Sequence, residues 1–114
     1  MTEKNDVVVH MPALGRLIAN VHLSVQVEEV SESDVPAVVL ARLTLTLPLL
    51  DLSNPLELRF EIPIPKAMPN MAVSGALTQQ GPRAPRPGDL ITEKNVQITP
   101  GAPTHLHLVE YRPR

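Results

Sequence analysis

Four histidines are the residues in this 114-residue chain whose type and spacing best suit metal chemistry. His105 and His107 alternate with leucines, so in a strand both imidazoles face the same side. Two imidazoles at this spacing can serve as two zinc ligands, with a third from His22 or from a carboxylate across the sheet. Because the leucines between them take the inward positions, an ordinary outward polar face explains the pair better. We therefore expect no bound metal at His105 and His107.

An acidic segment offers a second set of oxygen ligands. Four carboxylates fall within seven residues, at Glu28, Glu29, Glu32 and Asp34. Calcium loops need ligands at fixed positions and a glycine at the sharp turn, and this segment has neither. The segment is more typical of a solvated loop between two strands.

Catalytic motifs are missing. The chain has no cysteine, and Ser74 lacks the first glycine of a nucleophile elbow. The sequence contains no HExxH motif, no phosphate-binding Gly-Lys loop and no dinucleotide fingerprint. We therefore expect a non-enzyme without a cofactor. A Ser-His-Asp arrangement can also assemble from distant residues, so an unrecognised hydrolase remains an alternative.

Composition excludes further classes of function. The formal net charge of -2 gives no attraction to nucleic acid, and Phe60 and Tyr111 are too few aromatics for base stacking. No apolar run approaches the roughly 20 residues of a membrane span, so we expect no membrane insertion. The polar start lacks an apolar signal region. The chain is expected to be cytoplasmic if complete as written, and periplasmic or in the cell envelope if a leader was removed.

Strict alternation of apolar and polar residues marks three strands. It runs through residues 19–27, 43–47 and 56–62, where a helix would scatter the same residues around its circumference. The inward positions of these strands predict a core. It comprises Val21, Leu23, Val25, Val27, Leu43, Leu45, Leu58, Phe60 and Ile62.

Weaker patterns complete an all-β fold. Short strands are expected at 7–9, 71–77, 90–92, 96–98 and 105–111. The segments 90–92 and 96–98 are either two strands or one bent strand. About seven strands predict a single-domain antiparallel β-sandwich of immunoglobulin-like or transthyretin-like type. Residues 1–14 form an N-terminal segment with a short first strand, and residues 15–112 form the sandwich domain.

One stretch breaks the alternation and suggests a partner site. Pro63 and Pro65 cannot donate ladder hydrogen bonds, so they place their strand at a protected sheet edge or end it. The strand from Val38 to Leu47 has no such protection. The segment that follows it has more apolar side chains than one core face takes, so it either caps the core or is exposed. If exposed, it predicts a protein-binding site at Leu49, Leu50 and Leu52.

Residues 27–41 carry a family resemblance. A strand ending in an acidic residue is followed by Ser-x-x-Asp-x-Pro, with Ser31, Asp34 and Pro36 at those positions, and then by an apolar strand. This pattern resembles the YbaY-like lipoprotein domains, a family that includes the YscW-type pilotins, lipoprotein chaperones of type III secretion. The segments at 55–60, 71–77 and 88–92 are similar too, so the resemblance covers about residues 15–110. Met71 stands where the family usually has a tyrosine, and the chain has no lipobox cysteine.

The resemblance implies a β-sandwich and a role in the cell envelope, without implying an activity. We therefore expect a non-catalytic binding or assembly module, chaperone-like or pilotin-like, whose partner is another protein or a second copy of itself. A purely structural, self-associating domain is the alternative from another class. The sequence does not specify the identity of the partner, the oligomeric state or the compartment.

Overall fold

A computed structural model describes residues 2–29, 38–65, 70–81, 84–99 and 101–112. Every regular element within these ranges is a β-strand. The motif residues Ser31, Asp34 and Pro36, and Glu32 of the acidic segment, lie outside them. The strands are β1 (Thr2–Met11), β2 (Leu17–Glu29), β3 (Val38–Asp51), β4 (Leu56–Pro65), β5 (Met71–Gln79), β6 (Leu90–Thr92), β7 (Val96–Gln97) and β8 (Thr104–Glu110).

Backbone ladders join the strands into one continuous sheet. Its order is β3-β2-β5-β6-β8-β1-β4, and β7 pairs with β5 beside this path. The sheet rolls up so that its first and last strands, β3 and β4, approach each other. Ladders that would join β3 to β4 are absent from the described residues. The result is a nearly closed barrel around one core.

The all-β prediction is confirmed, but the pairing of the strands is mixed and not purely antiparallel. β1 and β8 are parallel, with Val7 opposite Thr104 and His10 opposite His107. β8 also changes partner along its length, since its last residues pair antiparallel with β6. One strand shared in this way joins what would otherwise be two sheets, which makes the fold barrel-like.

The first strand is longer than expected and is an interior strand of the sheet. β1 spans ten residues and lies between β4 and β8. Its inward side chains Val7, Val9 and Met11 belong to the core. A polar contact supports its register, because the buried Asn5 amide donates a hydrogen bond of 3.1 Å to the buried Thr104 hydroxyl. Residues 2–11 therefore share the core of the rest of the chain.

Most of the predicted core residues on the end strands are less buried than those on β2. Val21, Leu23, Val25 and Val27 on β2 are buried, as is Ile62 on β4. The other predicted members are only half-buried, although they pack against the core. They all lie on the two end strands, which have a neighbour on one side only. These half-buried residues are Leu43, Leu45, Leu58 and Phe60.

Candidate functional site: the end strand β3

The two ends of the sheet differ in how their edges are protected. β4 pairs only with β1 among the described strands, and it carries Pro63 and Pro65. This confirms the prediction that these prolines mark a sheet edge. β3 pairs only with β2, and its single proline, Pro48, lies close to its end. The other backbone N–H groups of β3 that do not bond to β2 can therefore donate hydrogen bonds to an added strand.

The boundary between the end strands β3 and β4, which we call the open seam, is not joined by a ladder in the described residues. Three apolar side chains from each of the two strands pack against the core there, and all six are half-buried. The lining residues are Leu43, Leu45, Leu47, Leu56, Leu58 and Phe60.

β3 also carries most of the exposed apolar side chains. Four large hydrophobic residues are exposed in the described part of the chain, and three of them, Val38, Val39 and Leu49, belong to this strand. The fourth, Leu17, lies on the neighbouring β2, whose Ala19 is paired with Leu49. The end strand is therefore apolar at both of its ends as well as along the open seam.

The three leucines predicted to bind a partner do not share one face. Leu49 is 55% exposed, whereas Leu50 is 7% exposed and Leu52 is fully buried in the core. Leu50 is paired with Ile18, which is also buried. Leu50 and Leu52 therefore cap the core, which was the other reading of this segment. Of the three, only Leu49 offers a surface, and its contact with a partner stays a prediction.

A left-handed residue explains the broken alternation. Asn20 has a φ of 53°, a conformation that asparagine tolerates better than most residues. The resulting kink in β2 lets Ile18 and Val21 both face the core, three residues apart. On the paired strand, Leu47 and Leu50 follow the same spacing, so Pro48 and Leu49 are left facing outward.

The turn that joins β3 to β4 is held by Asp51. The backbone N–H of Ser53 donates a hydrogen bond of 2.9 Å to Asp51 Oδ1. Hydrogen bonds from the Ser53 hydroxyl and from this N–H lower the pKa of the Asp51 carboxyl below its ordinary value of 3.8. The carboxylate thus fixes the connection that holds the two end strands at their present separation.

We expect Ser53→Ala to raise the pKa of Asp51 toward its ordinary value, because the hydroxyl donor is lost. The pKa is lowered in the folded chain, so the stabilisation is fully present above pH 3.8 and is lost as the pH falls through the folded-state value. Carboxyl carbon shifts of Asp51, followed by NMR from pH 6 down to about pH 2 in both proteins, measure this. An unchanged Asp51 midpoint in the variant would contradict the assignment, and the exposed Glu93 serves as the internal control.

The histidines fall on two separate outward faces. His105 and His107 are exposed on β8, as predicted, and the structure adds His10 from β1 beside them. His22 lies elsewhere, with its Nδ1 3.4 Å from the Thr46 hydroxyl across β2 and β3. As the side chains are placed, the described residues contain no group of three that could hold a metal ion. The structure therefore brings His10, and not His22, to the predicted pair.

A depression of about 370 Å³ is lined by residues of β2, β3 and β5. His22, Ser24 and Arg42 are among its lining residues. The Arg42 guanidinium donates a 2.9 Å hydrogen bond to Gln26 Oε1, and the Gln26 amide in turn donates to Glu28. The contacts resolved for His22 join it to a threonine across the strand pair, so they supply no serine–histidine–carboxylate relay.

Comparison with known proteins gives one informative result. No protein-family model matches the chain, and no curated protein matches it. A solved structure does match. It is an alternative pilotin from the type II secretion system of Vibrio cholerae, superposed with a TM-score of 0.68. The match covers 99% of this chain and 100% of that chain, at 18% sequence identity. At this identity the likeness establishes a shared fold over the whole chain.

Sequence reasoning missed two features of this surface. Leu17 begins β2 just before the regular alternation, and its exposure depends on the kink at Asn20. His10 reaches the other histidines only because β1 and β8 are parallel neighbours. The positive φ at Asn20 could have been suspected from the residue type, whereas the pairing of β1 with β8 leaves no mark in the local sequence.

In the described part of the chain, no helix is long and apolar enough to cross a membrane.

Proposed function

We propose that this chain is a non-catalytic, pilotin-like assembly module of the cell envelope, and that it holds a segment of a protein partner along β3. The observation that carries the proposal is the concentration of exposed apolar residues on an end strand with one unpaired edge: Val38, Val39 and Leu49. Monomeric domains seldom leave an apolar edge of this length uncovered unless a partner covers it. The fold shared with a secretion-system pilotin supports the same role.

The partner segment lies between the end strands in this proposal. The edge of β3 supplies main-chain donors and acceptors, and the open seam supplies apolar contacts beneath them. The prolines of β4 leave that edge short of donors. An extended segment would therefore hydrogen-bond to β3 and bury the flanks of Leu45 and Leu47 on the same side.

We propose the narrower assignment, to the YbaY-like family, from the sequence pattern. The Ser31, Asp34 and Pro36 pattern and the later strands resemble YbaY-like and YscW-type domains. The pilotin fold found by structural comparison supports this resemblance at the level of the fold. The YscW-type pilotins of that family are lipoprotein chaperones, so the proposed activity is capture of a protein partner.

Site-specific photo-crosslinking in the native host tests the proposal. A benzophenone amino acid replaces Leu49 or Val39, at the two ends of β3, and Lys94, in the exposed turn between β6 and β7, serves as the control position. We expect both β3 positions to give the same adduct, identified by mass spectrometry as a component of an envelope secretion system, and Lys94 to give none.

Other outcomes separate the alternatives. Adducts consisting only of two copies of this chain would favour the self-associating structural domain. Equal labelling from Lys94 and from the β3 positions would contradict a partner site on β3. Deletion of the gene without any change in envelope assembly or protein secretion would contradict the pilotin-like role.

A further inference from the structure

Three imidazoles are stacked on the outward face where β1 meets β8. The rings of His10 and His107 have centroids 4.5 Å apart and are tilted by only 9°, and those of His10 and His105 are 5.1 Å apart with a tilt of 20°. The parallel register places His10 directly opposite His107 and Val8 opposite His105. Two strands from opposite ends of the chain thus contribute to one imidazole cluster, which we call the histidine trio: His10, His105 and His107.

One pair of ring nitrogens in the trio lies within hydrogen-bond distance. His10 Nε2 and His105 Nδ1 are 2.8 Å apart, which requires a proton between them. Two imidazole ligands of one zinc ion, each at about 2.0–2.1 Å from the metal, have nitrogens separated by about 3.4 Å when the geometry is tetrahedral. A metal ion can therefore replace the shared proton after a small separation of the two rings.

The rings do not converge on one point as they are placed. Stacked, nearly parallel imidazoles direct their nitrogen lone pairs side by side. His105 and His107 are exposed, so rotation about their side-chain bonds is unhindered by packing. The backbone positions are fixed by the ladder, and only rotamers need to change to bring the three rings onto one ion.

The surroundings of the trio favour a cation held by nitrogen ligands. Glu57 on β4 is paired with His10, so a carboxylate flanks the trio on the side away from β8. Arg59 is the nearest basic group on the same face, and its guanidinium lies 3.9 Å from the Glu57 carboxylate, which offsets its charge. Imidazole ligands suit zinc, copper and nickel, whereas magnesium and calcium need oxygen ligands.

An apolar residue lies beside the trio on the same face. Val8 points outward between Arg59 and His105, yet it is fully buried and stands apart from the core cluster. The neighbouring outward side chains must therefore cover it. The trio therefore borders an apolar side chain that water does not reach.

We propose that His10, His105 and His107 form a binding site for a divalent first-row transition-metal ion of the zinc class, held across the parallel pairing of β1 and β8. This reverses the expectation from the sequence, which placed the third ligand at His22 or at a carboxylate and favoured no bound metal. The site lies on β1 and β8 and not on β3, so the test of metal binding and the test of the partner site are independent. The bound ion links the first and last strands, and metal binding therefore stabilises the closed sheet.

NMR of the untagged protein tests the site directly, because the chain has only four histidines. Substoichiometric Cu²⁺ is added while the four imidazole ring-proton signals are recorded. We expect the signals of His10, His105 and His107 to broaden together and the His22 signal to stay sharp. Calorimetry with Zn²⁺ should give one ion per chain, with no binding of Mg²⁺ under the same conditions.

Variants decide which residues hold the ion. His10→Ala should weaken Zn²⁺ binding by at least about tenfold, and so should His105→Ala or His107→Ala. His22→Ala is the matched control and should bind as the unaltered chain does. Absence of saturable Zn²⁺ binding, or equal affinity in His10→Ala and the unaltered chain, overturns the proposal. Circular dichroism shows that each variant is folded before its affinity is compared.

Discussion

Replacing Leu50 with glutamate is expected to lower the free energy of unfolding by roughly 4 kcal/mol or more. Leu50 is 7% exposed and is paired with the buried Ile18, so the substitution places a carboxylate in the core. Because small domains are stable by only about 5–15 kcal/mol, this loss removes a large share of the stability. Thermal and urea unfolding followed by far-ultraviolet circular dichroism measure the loss.

The neighbouring leucine provides the matched control. Leu49→Glu introduces the same charge one residue earlier, on a side chain that is 55% exposed. Its effect on stability should stay within about 0.5 kcal/mol, while crosslinking to a partner through β3 should weaken. If the two variants lose similar stability, the alternating placement of Leu49 and Leu50 is wrong.

The second large effect is expected at Leu106. Leu106→Ala should cost about 3–5 kcal/mol, because Leu106 is fully buried and its removal leaves a cavity in the core. Its methyl groups also fill the space over Gly75, where an added Cβ would lie 3.4 Å from Leu106 Cδ1. The surrounding strands are tied into the sheet on both sides, so they can relax little around the vacancy.

Leu58→Ala makes the same chemical change on a half-buried residue of an end strand. It should cost clearly less than Leu106→Ala, since Leu58 forfeits less buried area and the site can collapse from the open seam. Urea titrations of the two variants under identical conditions give the comparison. A loss at Leu58 equal to that at Leu106 would mean that the seam is closed in solution.

The strands of this fold could be predicted from the sequence more readily than their arrangement. The alternation in residues 19–27 and 56–62 identifies β2 and β4 and correctly assigns their inward faces. The same pattern does not encode which strands become neighbours or whether they run parallel. β1 and β8 together lie between β4 and β6, and this placement depends on the complete set of strands.

The candidate site was predictable only in part, for a similar reason. Pro63 and Pro65 predicted that β4 is a sheet edge, and the apolar segment after Leu47 contains the exposed Leu49. Which leucine is exposed depended on the backbone of the partner strand, where the left-handed Asn20 shifts the inward positions by one residue. Half-burial of Leu43 and Leu45 likewise depends on the missing neighbour beyond β3, which no local pattern records.

The parallel pairing of β1 with β8 has a consequence for biosynthesis. The first strand leaves the ribosome early, but the strand that must lie beside it comprises residues 104–110. During synthesis one flank of β1 therefore stays unpaired until residues 104–110 have been made. Late closure leaves a long interval in which a chaperone or an export machine can engage an unfolded chain.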